Sequence, residues 1–278
     1  MQTYNDCPDR EAVHLLQNRQ PDLPITYRHL LTGAAGYSHA LETASVGAGD
    51  VVIVILQHGA ELLYAFWGAV LYGAVPSIMP FLTEKLAPER YRQDLAALIV
   101  TSQPAAIITY AEFVSEVVDA VNQLPAETHR PNIINAADVT PCELDFSHMG
   151  GLLRAADDLV LLQHSSGTTG LQKGVALSHH AVFNQLDCYS KAIKLTQDDV
   201  IVSWLPLYHD MGLIAAFIMP ILLRVPLVLM SPFDWVRAPY RLLQAITTYH
   251  GTLAWLPNFA YNFCAHKIRE RDLASVDL

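Results

Sequence analysis

An α/β fold of layered parallel-sheet subdomains, with helices on both faces, is predicted by three observations. Short apolar runs alternate with helix-length segments along the chain. Those runs are continuous rather than alternating in polarity, which is the pattern of strands covered on both faces. Hydrophobic residues fill 52% of the 278 positions and charged residues only 16%, so a large buried core is expected.

Taken in order, residues 26–44 read as a helix, and Gly47, Gly49 and Asp50 turn the chain into the strand VVIVIL at 51–56. A buried helix runs from Ala60 to Tyr72, and Gly73 closes it before the strand AVPSIM at 74–79. Residues 62–82 carry no charge over 21 positions, long enough to span a bilayer. Pro76, Ser77 and Pro80 interrupt the second half, so the segment is read as helix then strand, with no membrane span. A helix from Arg90 to Gln103, the strand AAIITY at 105–110, a helix from Glu112 to Gln123 and the strand NII at 132–134 follow.

Residues 125–158 turn polar and proline-containing, and a soft subdomain boundary is placed there. Beyond it come the strand LVLLQHSS at 159–166, a glycine-rich loop, the strand GVALS at 174–178, a helix opened by Ser178 and a strand at 200–205. An apolar helix near 211–223, the strand VPLVLM at 225–230, a helix at 237–250, the strand TLAWL at 252–256 and a helix from about Asn258 complete the series.

Charge and cysteine content narrow the function. Lys plus Arg total 17 against 27 Asp plus Glu, a net −10 with no long basic run, which argues against nucleic acid and against a polybasic membrane anchor. Cys7, Cys142, Cys188 and Cys264 form no Cys-x-x-Cys pair, so neither a zinc site nor a disulfide framework is indicated. Reduced thiols and an N-terminus without signal-peptide character predict a cytoplasmic protein.

The most informative segment runs from Ser165 to Gly174, Ser-Ser-Gly-Thr-Thr-Gly-Leu-Gln-Lys-Gly, directly after an apolar strand. Gly167 and Gly170 allow successive amide hydrogens to turn inward around an anion. Ser165, Ser166, Thr168 and Thr169 add hydroxyl donors, and Lys173 adds a mobile positive charge, so the loop can wrap a polyphosphate. It is not the common P-loop, because Gly-x-x-x-x-Gly-Lys-Ser/Thr is absent and Gly174 leads into a strand rather than a helix.

This segment resembles the phosphate loop of the adenylate-forming ligases, which include acyl-CoA synthetases, fatty acyl-AMP ligases and the adenylation domains of peptide synthetases. The resemblance implies that Ser165, Ser166, Gly167, Thr168, Thr169, Gly170 and Lys173 hold the β and γ phosphates of ATP. His164 stands where an aromatic is common in the family, and Gln172 replaces the usual proline. A second match, SWLPLYHDMGLI at 203–214, resembles the segment where these enzymes place their carboxylate substrate. It implies that His209 helps direct the carboxylate toward ATP and that Met211 and Gly212 line the acyl pocket. A third, at 230–264, resembles the acyl-CoA synthetase and fatty acyl-AMP ligase branch, with Asn258 and Phe259 as further substrate-binding candidates. Trp255, Leu256 and Tyr261 suit an aliphatic or aryl acid, and Asp234 matches loosely the residue that binds an ammonium in amino-acid-activating domains.

The resemblance implies ATP-dependent activation of a carboxylic acid to acyl-AMP, with His209 and Lys173 in the chemistry. Transfer to a thiol of coenzyme A or of an acyl carrier protein's phosphopantetheine would follow. Mg2+ would arrive with the ATP phosphates, its protein ligand lying beyond this chain. Residues 1–278 are accordingly expected to be an incomplete N-terminal domain without the small C-terminal lid, inactive alone and self-associating through apolar surface at the cut. A non-catalytic nucleotide- or acyl-binding remnant, or one half of a split ligase, stands as the alternative.

Overall fold

The computed structural model describes residues 2–81, 87–165 and 173–278. In chain order the elements are α1 (Gln2–Asp6), β1 (Glu11–Leu16), β2 (Leu23–Thr26), α2 (Tyr27–Thr43), β3 (Val51–Ile55), α3 (Ala60–Tyr72), β4 (Val75–Ile78), α4 (Pro88–Ser102), β5 (Ala106–Thr109), α5 (Val114–Asn122) and β6 (Asn132–Asn135). There follow β7 (Leu159–Ser165), β8 (Lys173–Ser178), α6 (His179–Ala192), β9 (Ile201–Ser203), a π-helix (Met211–Ile218) running into α7 (Met219–Leu223), β10 (Leu227–Met230), α8 (Pro232–Arg237), α9 (Tyr240–Tyr249) and α10 (Asn258–Lys267). The chain divides into two compact units, Leu30–Phe183 on the one hand and Met1–His29 with Asn184–Leu278 on the other.

In the unit Leu30–Phe183 a parallel sheet has the order β4-β3-β5-β6, with Ile53 opposite both Ser77 and Ile107. The apolar runs read from sequence are its central strands, and Val52 through Ile55 and Ala106 through Ile108 are fully buried. The uncharged stretch 62–82 includes most of α3 and all of β4. No helix among the described residues is long and apolar enough to cross a membrane. Helix α3 ends on Gly73, whose φ of 99° is a left-handed conformation that costs glycine nothing. Its middle lies tight on α2: a Cβ added at Gly68 would sit 2.6 Å from the Ala34 carbonyl oxygen, and Ser38 Oγ donates to the Gly68 carbonyl at 2.8 Å.

The stretch 125–158 lies inside this unit. Its polar residues satisfy short 3-10 turns locally, as where Asp145 accepts from the Ser147 amide at 2.9 Å. Gly151 then brings its backbone against α3, where an added Cβ would meet the Val70 carbonyl oxygen at 2.1 Å. Strands β7 and β8 form an antiparallel hairpin, an exception to the parallel pairing expected of the fold.

The other unit is built on a sheet of order β2-β1-β10-β9, in which β10 pairs in parallel with β1 and β9 while β2 runs antiparallel to β1. Sequence reading found neither β1 nor β2. Strand β9 is shorter than the expected 200–205, because the Leu205 amide turns back to Ser203 Oγ at 3.1 Å. The strand expected at 252–256 does not form: only Leu253 bridges, to Ile201, and Pro257 follows with no amide to extend the ladder. The helix expected at 237–250 is α9 alone, separated from α8 at Ala238 and Pro239, where proline disfavours helical backbone before it. The apolar helix near 211–223 is π-helical through Ile218 before α7 begins.

Candidate active site

The antiparallel hairpin flanks the glycine-rich segment 166–172. Cross-strand pairing places His164 opposite Gly174 and Ser165 opposite Lys173, so the segment 166–172 leaves and re-enters the sheet at adjacent points. Ser166, Gly167, Thr168, Thr169 and Gly170 lie outside the described residues, and Ser165 and Lys173 are described here as strand backbone. Beside this mouth, the His164 ring is hydrogen-bonded through Nδ1 to Ser77 Oγ of β4 at 2.8 Å. Burial holds the His164 imidazole below the usual histidine range, which favours the neutral ring.

The second cluster follows β9. Ser203 is buried, and the chain turns through Pro206, whose carbonyl accepts from the His209 amide at 3.2 Å. Asp210 then caps the π-helix, its Oδ1 accepting from the Met211 amide at 2.8 Å. Gly212 is required by close approach, because an added Cβ would stand 2.3 Å from the Pro206 carbonyl oxygen. Its small size therefore admits the neighbouring backbone.

Around this turn lies a pocket of about 330 Å³ bordered by Trp204, Pro206, His209, Met211, Gly212 and Phe259. Met211 and Phe259 are exposed, whereas Trp204 is buried behind them. Trp204 stacks on Trp235 with ring centroids 3.6 Å apart, and Phe259 meets both edge-on at 6.2 Å. Of the sequence candidates, His209, Met211, Gly212 and Phe259 thus converge on one cavity. Asn258 opens α10 and does not border it. Trp255 donates to the Tyr189 hydroxyl at 2.6 Å, and Leu256 packs on the core around Trp235. Asp234 faces Arg237 and Arg241, each at 4.0 Å, which occupies the carboxylate with internal cations.

Residues 2–278 match the AMP-binding enzyme family over essentially the whole chain. The chain belongs to that family. A long-chain-fatty-acid–AMP ligase of Mycobacterium bovis is 30% identical over 295 aligned residues, covering 97% of this chain and 49% of that protein. The medium-chain-fatty-acid acyl-carrier-protein ligase JamA of Moorena producens is 28% identical, over 97% of this chain and 45% of its own length. Among solved structures, a fatty acyl-adenylate ligase of L. pneumophila in complex with acyl adenylate and pyrophosphate superposes with a TM-score of 0.83 at 26% identity. That superposition covers 100% of this chain and 46% of the other. This AMP-binding enzyme chain therefore spans about half the length of the curated relatives it matches.

Two features, one in each unit, escaped sequence reading. Ser77 signals itself only as a lone hydroxyl in an apolar strand, and its partner His164 is 87 positions away. Trp204 sits within the SWLPLYHDMGLI segment, but its role as pocket wall depends on Trp235 behind it. Among the described residues no cluster of three His, Cys, Asp or Glu that could hold a metal ion occurs.

Proposed function

We propose that the protein activates a carboxylic acid, a fatty acid before an aryl acid, as its acyl-AMP. A carboxylate oxygen attacks the α-phosphorus of ATP, the bond from that phosphorus to the bridging oxygen breaks, and pyrophosphate leaves. His209 positions the carboxylate at the pocket mouth, with Met211, Gly212 and Phe259 along the acyl chain. Lys173 and the hydroxyls of Ser165, Ser166, Thr168 and Thr169 hold the departing pyrophosphate, with amides at Gly167 and Gly170. Such catalysis is mostly orientation and neutralisation of charge. A thiol sulfur then attacks the acyl carbonyl, the carbonyl–oxygen bond to AMP breaks, the thiol proton is lost and AMP departs.

The observation that carries this reading is the convergence of His209, Met211 and Phe259 on one aromatic-walled pocket, in a chain of the AMP-binding enzyme family. Relatives named for medium- and long-chain acids support the fatty acid. A relative named for the acyl carrier protein supports phosphopantetheine over coenzyme A as the acceptor. Magnesium enters with the ATP phosphates. Four unpaired cysteines suit a reducing compartment, and a cytoplasmic location belongs to the same reading.

Acid-dependent exchange of labelled pyrophosphate into ATP, with decanoic acid as the probe, tests the proposal. Lys173→Ala is expected to weaken ATP binding by about tenfold or more, the value of a charge-assisted bond to phosphate. ADP in place of AMP as the nucleotide product would overturn the reaction class.

A further inference from the structure

The loop segment is tied to the molecule through a residue that the adenylation reading does not use. Ser77 lies in β4 with 1% of its surface exposed, and its place opposite Ile53 is set by parallel pairing with β3. Its hydroxyl meets His164 Nδ1 at 2.8 Å, and His164 is the residue that precedes Ser165 in β7. The other side of the imidazole lies over β8. A Cβ built on Gly174 would stand 3.3 Å from His164 Nε2 and 2.9 Å from Leu162 Cδ1, so ring and leucine together occupy the space a side chain at 174 would need. Gly174 is also the cross-strand partner of His164 and the neighbour of Lys173. One ring therefore touches both strands of the hairpin at the level where the loop begins and ends, and is itself bonded to a strand of the rigid sheet.

We propose that His164 is a positioning residue at the base of the phosphate-loop segment: bonded to Ser77 and lying against Gly174, it fixes the two strand ends, at Ser165 of β7 and Gly174 of β8, on either side of residues 166–172. This rests on the phosphate-holding role proposed above. A flat ring of similar size would fill the same volume without the bond to Ser77. A buried hydroxyl left without a partner is unfavourable, so such a ring would also release Ser77. The neutral imidazole suits the contact, since its Nδ1 can either donate to or accept from the Ser77 hydroxyl according to the tautomer.

Three variants of the full 278-residue chain separate tether from volume. His164→Phe keeps the volume and removes the bond; Ser77→Ala removes it from the other side; His164→Asn keeps a polar atom near the position of Nδ1. Amide hydrogen exchange is read at Ser165 and Gly174, with Leu161 and Leu177 at the far end of the hairpin as reference. His164→Phe and Ser77→Ala are expected to speed exchange at the loop mouth by about five- to tenfold, the factor of one lost hydrogen bond, with the reference amides unchanged and His164→Asn close to the parent. Uniform acceleration along the hairpin, or none, would overturn the proposal. In calorimetry with Mg-ATP the first two variants are expected to bind about fivefold more weakly while decanoic acid binding stays constant, and equal losses for both ligands would also overturn it. A parent chain that binds no ATP would count against the phosphate-holding role, whereas the exchange pattern still decides whether His164 pins the strand ends.

Discussion

The indole rings of Trp204 and Trp235 stack with centroids 3.6 Å apart and planes 2° from parallel. Trp204 borders the same pocket as His209, and Trp235, stacked on it, is fully buried. The wall of this pocket is thus the outer face of a core aromatic pair, and its shape depends on both rings.

Removing the inner ring should cost stability. Trp235→Ala is expected to lower the unfolding free energy by about 3–5 kcal/mol, as other large-to-small core changes do. Denaturant titration measures it, and a loss below about 1 kcal/mol would mean that the site collapses around the missing ring.

Removing the outer ring should alter selection. Trp204→Ala opens the pocket toward Trp235, so the ratio of hexadecanoic to decanoic acid binding is expected to rise. Equal losses for both acids, measured by calorimetry, would show that Trp204 serves the fold alone.

Gly212→Ala forces a methyl to within 2.3 Å of the Pro206 carbonyl oxygen unless the backbone moves. Overpacking of this kind costs about 1–3 kcal/mol. Because the same carbonyl accepts from the His209 amide, acid binding is expected to fall together with stability, and separation of the two effects would contradict the coupling.

Burial depresses the histidine pKa at His164 and at His179, in both cases as the largest cause. A histidine that binds its proton less readily when folded favours unfolding as pH falls, since the unfolded chain takes up more protons. The stability these rings contribute is present above the unfolded value of about 6.5 and is lost below it as pH falls through the depressed folded value. Thermal melts from neutral to mildly acid pH should show a falling midpoint, and His164→Phe should flatten part of that slope.

Gly151→Ala tests how 125–158 is held. The added methyl would meet the Val70 carbonyl oxygen at 2.1 Å, so a loss of about 1–3 kcal/mol is expected by denaturant titration. A neutral result would show the segment free to move away from α3.

Punctuation made part of this fold legible. Gly47, Gly49, Asp50 and Gly73 bracket β3 and α3, so those elements follow from local chemistry. Strand β1 did not, because Val13 pairs with Leu227 far along the chain, and nothing near Glu11–Leu16 announces a partner so distant. At 252–256 the apolar run was present, but only Leu253 meets β9, and the rest of the run has no ladder to join. In the site, His209, Met211, Gly212 and Phe259 were legible as motif residues. The His164–Ser77 bond was not, because spatial adjacency across 87 positions leaves no trace in spacing.

In the π-helix Met211–Ile218 the winding is wider than in an α-helix, and the Met219 amide that follows it reaches back five positions to the Ile214 carbonyl. Deletion of one residue near its middle is expected to return this ladder to α-helical bonding while α7 and β10 keep their places, so the extra winding marks where the chain can lose a residue without moving the sheet.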